Sequence, residues 1–242
     1  MRYMGGKHRQ GPAIAAAVMA RHAPGASYYE PFCGGLGSAV RAVPLVSAAG
    51  GHSFLSDGSE AVVTMWRAVL DGWMPPEHVG REEYERVKVA RDPRDPLTAF
   101  CGFGCSFSAR WFASYVNSAK SSRASVLKKA ATLEGYKFSI RHLDYRQVQP
   151  RGGAVVYLDP PYENRSKVHD FDSFDYEVFW DYARRLVHRG NHVIVTGFAV
   201  PDDWRSIFSW GDTISRPMGN AAVNVVDERI FVHESQFVED LV

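Results

Sequence analysis

Cysteine is scarce in this chain of 242 residues, and long apolar runs and targeting signals are missing. Its three cysteines, Cys33, Cys101 and Cys105, are too few and odd in number for a disulfide framework. Cys101 and Cys105 could share a helix face, but no nearby Cys/His pair completes the four ligands of a structural zinc site. No apolar run reaches the ~20 residues of a membrane span, and the first residues lack the apolar core of a signal peptide. We therefore expect a cytoplasmic protein with buried reduced thiols, no membrane association and no metal.

The charge of the chain is balanced overall but not along its length. The formal net charge is +1, and 45% hydrophobic and 23% charged residues are ordinary for a globular domain of this size. Residues 110–151 hold nine Lys/Arg against two acids, a balance of +7, whereas residues 1–109 balance at +1 and residues 152–242 at −7. The basic stretch is a candidate polyanion surface, although a solvated helix face is the commoner origin of such a charge run.

An acidic Pro-Pro motif follows the most apolar strand of the chain. Residues 153–157 are typical of a fully buried strand, and Leu158-Asp159-Pro160-Pro161-Tyr162 comes next. In an open α/β sheet, ligands bind at the carboxyl ends of such strands. Prolines carry no N–H and fix φ, so a carboxylate beside a rigid, available carbonyl can accept hydrogen bonds from an amino group. Tyr162 offers a flat face to a planar heterocycle. An ordinary Pro-Pro turn with a capping Asp is the alternative.

Two glycine-rich turns precede helices in the first 40 residues. Gly5-Gly6-Lys7 permits close backbone approach and places a cation before a predicted helix over residues 7–22, which is weak evidence for a ligand site. Residues 27–39 predict a short strand, the turn Glu30-Pro31-Phe32-Cys33-Gly34-Gly35-Leu36-Gly37 and a helix. The spacing departs from G-x-G-x-x-G, and the acid and aromatic before the glycines suit an adenosyl ligand carrying an amino acid better than a diphosphate. A generic turn without ligand remains the alternative.

A second strand, over residues 52–57, ends in Asp57 about 20 residues later. A carboxylate at this position is the expected partner of ribose hydroxyls, although it could equally cap the helix predicted over residues 59–70. The spacing from the glycines favours the ribose.

The remaining segments predict an α/β protein with a helical insertion. Residues 82–90 and 96–106 are predicted helices, and residues 118–123 a flexible basic loop. Strands are expected over residues 135–140 and 192–197, helices over 175–188 and 204–208, and a polar mobile loop over 163–172. Residues 212–216 and 229–233 are expected to close the sheet as an antiparallel pair around Gly219-Asn220.

Taken together, these motifs resemble the Dam-like DNA adenine N6-methyltransferases, in the order that the family has them and over nearly the whole chain. The matching elements are Tyr3-Met4-Gly5-Gly6-Lys7, residues 30–38, Asp57, Asp144-Tyr145, Asp159-Pro160-Pro161-Tyr162 and residues 226–231. The resemblance implies a Rossmann-like S-adenosylmethionine-dependent methyltransferase sheet built from residues 1–70 and 135–242. Residues 71–134 would then be a small helical target-recognition insertion.

The resemblance also implies a reaction and a set of site residues. The protein would transfer a methyl group from S-adenosylmethionine to the N6 amino group of an adenine flipped out of double-stranded DNA. Asp159 and the Pro160 carbonyl would hold the amino group, and Tyr162 would stack on the base. For the cofactor, Glu30 would bind the amino group, Asp57 the ribose and Lys7 the carboxylate, while Phe32 and Tyr145 would flank the adenine. The full implied set is Asp159, Pro160, Pro161 and Tyr162 for catalysis; Tyr3, Gly6, Lys7, Glu30, Phe32, Gly34, Gly35, Gly37, Asp57, Asp144, Tyr145 and Asp159 for the cofactor; and Arg110, Trp111, Lys120 and Arg123 for nucleic acid.

Two departures from the family leave the substrate open. The segment after residues 103–111 is shorter than the hairpin that reads the target sequence in relatives, so we expect the recognised sequence to be shorter, different or less strictly defined. Thr196-Gly197-Phe198 replaces the usual polar residues after the predicted strand at 193–195. A methyltransferase acting on cytosine N4, RNA or protein glutamine, a catalytically silent DNA-binding relative, and a nicotinamide-dependent oxidoreductase are the alternatives. The recognised bases, a partner restriction enzyme and the oligomeric state are not specified.

Overall fold

A computed structural model describes residues 6–161, 174–215 and 224–238 of the chain. It shows a single seven-stranded sheet in the order β3-β2-β1-β4-β5-β7-β6. The strands are β1 Tyr28–Glu30, β2 Ser53–Asp57, β3 Phe138–His142, β4 Val155–Leu158, β5 His192–Gly197, β6 Trp204–Ser215 and β7 Asn224–His233. The first five pair in parallel, and β7 inserts antiparallel between β5 and β6. This confirms the predicted α/β, Rossmann-like class.

The strand order changes direction between β1 and β4, which are neighbours in the sheet but far apart in the chain. In an open parallel sheet, the carboxyl ends of the strands at such a switch point border the ligand crevice. Glu30 is the last residue of β1, and Asp159 follows β4 directly. The two carboxyl groups that the sequence singled out therefore leave adjacent strands at the same edge.

Helices cover the sheet and close its core. The helices are α1 Gly11–Met19, α2 Ala39–Ala48, α3 Glu60–Leu70, α4 Arg81–Ala90, α5 Pro96–Ala99, α6 Ala119–Leu133 and α7 Tyr176–His188. Ser59 caps α3 and Asp175 caps α7, because each side chain accepts a hydrogen bond from a backbone N–H of the first turn. None of the helices in the described ranges is long and apolar enough to cross a membrane.

The helices between α3 and β3 share their core with the sheet. Phe100, Cys101 and Leu133 belong to the same buried cluster as Trp66 and Val155. A π-helical turn at Phe100–Gly104 continues α5. Cys33, Cys101 and Cys105 are buried and free, as the sequence predicted.

Three predictions of secondary structure need correction. Residues 118–123 are not a flexible loop: Ser118 precedes α6, and residues 119–123 form its start. Alanine, lysine and arginine, which have good helix propensity, recur along this helix without a glycine or proline. Residues 204–208 are not a helix but the start of β6, because pairing with β7 outweighs their local pattern. The first helix starts at Gly11 rather than Lys7.

The predicted antiparallel pair near the chain's end is present as β6 and β7, but its register differs from the prediction. Residues 229–233 pair with residues 204–209, and residues 212–215 pair with residues 224–227. Gly219-Asn220 and the expected loop over 163–172 lie outside the described residues.

Gly51 is the tightest backbone approach beside the first strands. A Cβ added there would lie 2.3 Å from the Ala26 carbonyl oxygen, whereas one added at Gly58 would have no heavy atom within 4 Å. Because the Ala26 atom is backbone, the overlap can be relieved only by moving the chain ahead of β1. We expect Gly51→Ala to lower the free energy of unfolding by about 1–3 kcal/mol, which chemical denaturation would measure. Gly58→Ala is the matched control, and equal stability of the two variants would contradict the prediction.

Candidate active site

Asp159 lies at the centre of a buried polar cluster at the carboxyl edge of the sheet. Its Oδ1 is 2.7 Å from Lys7 Nζ and accepts a hydrogen bond of 2.9 Å from Thr196 Oγ1. Thr196, on the adjacent strand β5, is also 3.0 Å from the hydroxyl of Tyr157. The side chain of Asp159 is 16% exposed, so it can still be reached from solvent. Lys7 and Thr196 hold the carboxylate in one orientation.

Lys7 reaches Asp159 because the N-terminal segment lies directly on the glycine turn. A Cβ at Gly37 would be 2.7 Å from the backbone nitrogen of Lys7 and 2.9 Å from that of His8, so only glycine permits this approach. Lys7 is 4% exposed, and its Nζ also pairs with Glu228 Oε1 at 3.2 Å. The ammonium group therefore connects the β4 carboxylate to strand β7, and the glycine turn and Asp159 share one site.

Glu228 and Thr196 were not predicted as site residues. Glu228 lies on β7 and also accepts a hydrogen bond of 3.2 Å from Gln10 Nε2. The resemblance had marked residues 226–231 as a family strand without giving Glu228 a role, and Thr196 was noted as a departure from the family. A polar residue within an apolar strand, such as Thr196 in β5, is the signal that could have found it.

Opposing effects act on the pKa of Asp159. Burial raises the pKa of its carboxyl group, and the nearby charge and hydrogen bond of Lys7 lower it. The negative charge of Glu228 raises this pKa further, while the Thr196 hydrogen bond lowers it. Lys7 is thus the cation that favours ionised Asp159 in a site whose other charges oppose ionisation.

Glu30 is held within the protein by two hydroxyl groups. Tyr28 donates to its Oε2 at 2.7 Å and Ser38, at the start of α2, donates to its Oε1 at 2.5 Å. Glu30 is 1% exposed, and burial, together with the negative charges of Asp159 and Asp57, raises its pKa to about 7 in spite of these hydrogen bonds. As it stands in the structure, Glu30 fastens β1 to the helix after the glycine turn.

The glycine turn is anchored by side chains from three other elements. The N–H of Gly34 donates to Asp57 Oδ2 at 2.8 Å, and its carbonyl accepts from Trp66 Nε1 at 2.9 Å. Lys129 of α6 donates to the carbonyl of Gly35, and burial lowers the pKa of this lysine to about 8. Asp57 also accepts from the N–H of Ser59 at 2.9 Å through Oδ1. Asp57 therefore supports the turn and the start of α3, in addition to any contact with a ribose.

The two aromatic rings expected to flank an adenine lie against each other. The ring centroids of Phe32 and Tyr145 are 5.2 Å apart, and both contact Phe174 and Phe179. The rings leave no gap for a third ring between them, so a base could be flanked by both only if they separated. Asp144 accepts hydrogen bonds from Arg146 and caps the short helical turn Tyr145–Gln147.

The predicted nucleic-acid residues are in different surroundings. Arg110 and Lys120 are exposed. Trp111 packs on Phe103, with ring centroids 4.8 Å apart, and a Cβ at Gly102 would lie 2.4 Å from its indole ring. Arg123 donates to the Pro75 carbonyl at 2.8 Å and pairs with Glu77 at 3.3 Å, so it also connects α6 to the loop between α3 and α4.

Several predicted residues fall outside the description or contribute backbone only. Tyr3 and Tyr162 lie outside the described residues. Gly6 is exposed, Pro160 is buried, and the Pro161 carbonyl accepts a hydrogen bond of 2.6 Å from Tyr176. The described part of the chain contains no group of three or more His, Cys, Asp or Glu side chains that could hold a metal ion.

The charge of the site fits a cationic ligand. Four carboxyl groups, those of Glu30, Asp57, Asp159 and Glu228, lie close enough for their charges to act on one another's pKa. Lys7 lies among them, and Lys129 approaches the glycine turn from α6. A sulfonium ion with an ammonium group, as in S-adenosylmethionine, suits this acidic surrounding better than a nucleotide diphosphate does.

Part of the chain matches a known family. Residues 106–199, less than half of the chain, match the D12 class N6 adenine-specific DNA methyltransferases. The matched segment includes Asp144-Tyr145, the Asp159 motif and β5. The match confirms the resemblance that the motifs predicted and, at the coarser level, a methyltransferase that uses S-adenosylmethionine.

Solved structures resembling this fold include other methyltransferases, at low sequence identity. The rRNA methyltransferase aviRa from Streptomyces viridochromogenes aligns with 12% identity and a TM-score of 0.44, covering 93% of this chain and 84% of that one. A SAM-dependent O-methyltransferase from Thermotoga maritima aligns with 11% identity and a TM-score of 0.41, covering 96% and 67%. These scores are low and support no inference about the substrate. No relative is found among curated protein sequences.

The raised pKa of Glu30 predicts a pH-dependent stability. The unfolded chain ionises Glu30 near its ordinary pKa of 4.5, but the folded protein holds the proton until about pH 7. The contribution of Glu30 to the free energy of unfolding is therefore complete below about pH 4.5 and is lost as the pH rises towards 7, by roughly 3 kcal/mol at most. Because Glu30→Gln cannot ionise, its stability relative to the wild type should rise by up to that amount over this window.

Urea denaturation at intervals between pH 4.5 and pH 8 would measure the difference. Glu134→Gln, which removes an exposed carboxylate, is the matched control. A constant difference between Glu30→Gln and the wild type at all pH values would show that Glu30 ionises normally in the folded protein.

Proposed function

We propose that this protein transfers a methyl group from S-adenosylmethionine to the N6 amino group of an adenine in double-stranded DNA. The observation that carries the proposal is the position of Asp159: a buried carboxylate at the carboxyl end of β4, oriented by Lys7 and Thr196, beside the glycine turn that follows β1. The match of residues 106–199 to a family of N6 adenine-specific DNA methyltransferases supports the choice of acceptor.

Asp159 would act as a fixed hydrogen-bond acceptor for the substrate amino group. The lone pair of an exocyclic amine is conjugated with the ring of the base. A group that accepts hydrogen bonds from the two N–H bonds can orient the nitrogen so that this lone pair points towards an incoming methyl group. An ionised carboxylate accepts and does not donate, and Lys7 favours that form of Asp159. Pro160 and Pro161 keep the following carbonyls rigid. Positive charge that develops on the nitrogen is stabilised by the adjacent carboxylate.

When bound, S-adenosylmethionine supplies an activated methyl group on a sulfonium ion. Among the chain's own groups, Glu30 and Asp57 would bear on its amino group and ribose, and Gly34, Gly35 and Gly37 allow its close approach. Because both oxygens of Glu30 already accept hydrogen bonds from Tyr28 and Ser38, its contribution is as a buried carboxyl group that holds the turn in shape and whose ionised form a bound cation would favour. Phe32 and Tyr145 would lie beside the adenine, and Tyr3, Gly6 and Asp144 would be further cofactor-binding residues.

The target base would leave the duplex to reach this buried position, as in other enzymes that modify bases, and Tyr162 would stack on it. Residues 71–134 would supply contacts to the flanking duplex, with Arg110, Trp111, Lys120 and Arg123 as the candidate residues. The carboxylates around Asp159 disfavour binding of the phosphate backbone in the site itself, so the backbone has to lie on other surfaces of the protein.

Substitution of Asp159 tests the proposed chemistry. We expect Asp159→Ala to lower the rate of transfer to adenine at least 100-fold, because the amino group loses the acceptor that orients it. The assay uses methyl-labelled S-adenosylmethionine, unmethylated duplex DNA and nucleoside analysis for N6-methyladenine. Calorimetry should show that the variant still binds the cofactor, and Asp202→Ala, at an exposed acid, should behave as the wild type.

Three results would contradict the proposal. Transfer by Asp159→Ala at a rate near that of the wild type would remove Asp159 from the mechanism. Label found as N4-methylcytosine, or in RNA but not in DNA, would change the acceptor. Cofactor binding without transfer to any of these substrates would identify a catalytically silent DNA-binding relative.

A further inference from the structure

One side of the protein is almost free of acidic residues. Residues 6–56 and 96–133 contain a single carboxylate side chain, Glu30, and that residue is buried. The two stretches form neighbouring parts of the fold, since α2 packs against both α1 and α6. These two stretches therefore contribute no negative side chain to the surface; Glu77, which pairs with Arg123 of α6, comes from the loop between α3 and α4.

Five exposed basic side chains lie on this surface, which we name the basic face: His8, Arg9, Arg41, Lys120 and Lys128. Lys120 and Lys128 are eight positions apart on α6, which separates them by about 12 Å along the helix axis and by about 80° around it, so both lie on one broad side of the helix. Each is exposed, and so is Ala124 between them. The helix thus presents a cationic row with no acid along its length.

The contacts of the glycine turn bring His8 and Arg41 to the same side, and Arg9 follows His8 in the chain. The backbone of His8 lies on Gly37, and the side chain of Arg41, in the first turn of α2, lies on Gly11 at the start of α1. On the α6 side, Lys129, next to Lys128, reaches the carbonyl of Gly35. The basic face therefore borders the glycine turn, on which the backbone of Lys7, the partner of Asp159, also lies.

The electrostatics of His8 agree with this convergence. Burial lowers the pKa of its imidazole, and the positive charges of Lys129, Arg41 and Lys128 lower it further. Within the described residues, none of the five members of the basic face forms an ion pair, whereas Arg146, Arg184, Arg205 and Arg229 elsewhere in the protein all pair with acids. Because its pKa is lowered, His8 is mostly uncharged at neutral pH, whereas the unpaired charges of Arg9, Arg41, Lys120 and Lys128 produce a positive field that a polyanion can neutralise.

We infer that the basic face binds the sugar-phosphate backbone of duplex DNA next to the extruded base. The inference rests on the proposed function for the identity of the polyanion. A duplex carries one phosphate charge per about 1.7 Å of its axis, so the row on α6 alone faces several phosphates. Because the face borders the glycine turn, DNA bound there has its neighbouring base pairs near the acidic crevice, which itself repels phosphate. These contacts would position the duplex without reading its sequence.

Neutralising two members of the face tests the inference. We expect Arg41→Gln/Lys128→Gln to weaken binding of a short duplex roughly 10- to 100-fold at 0.1 M salt, and to reduce the slope of log K against log salt by about 1.8, or 0.9 for each lost phosphate contact. Fluorescence anisotropy over a salt series measures both quantities. Unchanged thermal stability and cofactor binding would show that the variant is folded with an intact site.

The matched control is Lys137→Gln/Arg151→Gln. Both residues are exposed and precede parallel strands β3 and β4, so they lie at the opposite edge of the sheet. This variant removes the same charge and should bind DNA with nearly the affinity and salt slope of the wild type.

The possible results separate this inference from the proposed function, because binding is measured without transfer. Equal affinity and slope for Arg41→Gln/Lys128→Gln and the wild type would overturn the inference even if the wild type methylates adenine. Equal losses of DNA affinity in Arg41→Gln/Lys128→Gln and in the control would also overturn it, since only the net charge of the protein would then matter. If the wild type binds duplex RNA but not DNA, and Arg41→Gln/Lys128→Gln loses that binding, the face binds another nucleic acid and the inference is overturned.

Discussion

The ion pair between Lys7 and Asp159 is the contact on which the arrangement of this site depends. It joins the first described residues of the chain to the end of the central strand β4, and through Glu228 it extends to β7. A buried ion pair contributes little to stability once the desolvation of both charges is counted. Its effect here is on orientation and protonation: the ammonium group favours ionised Asp159, whereas burial and the negative charge of Glu228 disfavour it.

That contact is possible because Gly37, in the glycine turn after β1, has no side chain. The N-terminal segment lies on it closely enough that a methyl group would collide with two backbone nitrogens. The turn itself is held by Asp57, Trp66 and Lys129, each from a different element. Residues usually assigned to a ligand thus also hold the backbone in place, so loss of one of them would affect both stability and binding.

Charge is distributed in two zones that meet at the glycine turn. Carboxyl groups lie at the carboxyl ends of β1 and β4, whereas the exposed charged side chains of α2 and α6, on the other side of the turn, are all basic. An acidic crevice suits a cationic cofactor and an exocyclic amine, while phosphates are favoured outside it. Such a division would allow one protein to hold a sulfonium ion and a polyanion within a short distance of each other.

The sequence by itself determined the fold class, most strands and the residues at their ends, because buried strands, glycine turns and prolines leave local patterns. It also determined Asp159, Glu30 and Asp57 as candidates, since each acid directly follows or ends such a strand. Only the tertiary structure decided which groups meet them. Glu228 is 218 positions from Gln10, and Thr196 and Lys129 reach the site from other elements, so no local period indicates these contacts. Residues 204–208 became a strand, and the rings of Phe32 and Tyr145 came together, because pairing and packing with distant residues outweigh local preference.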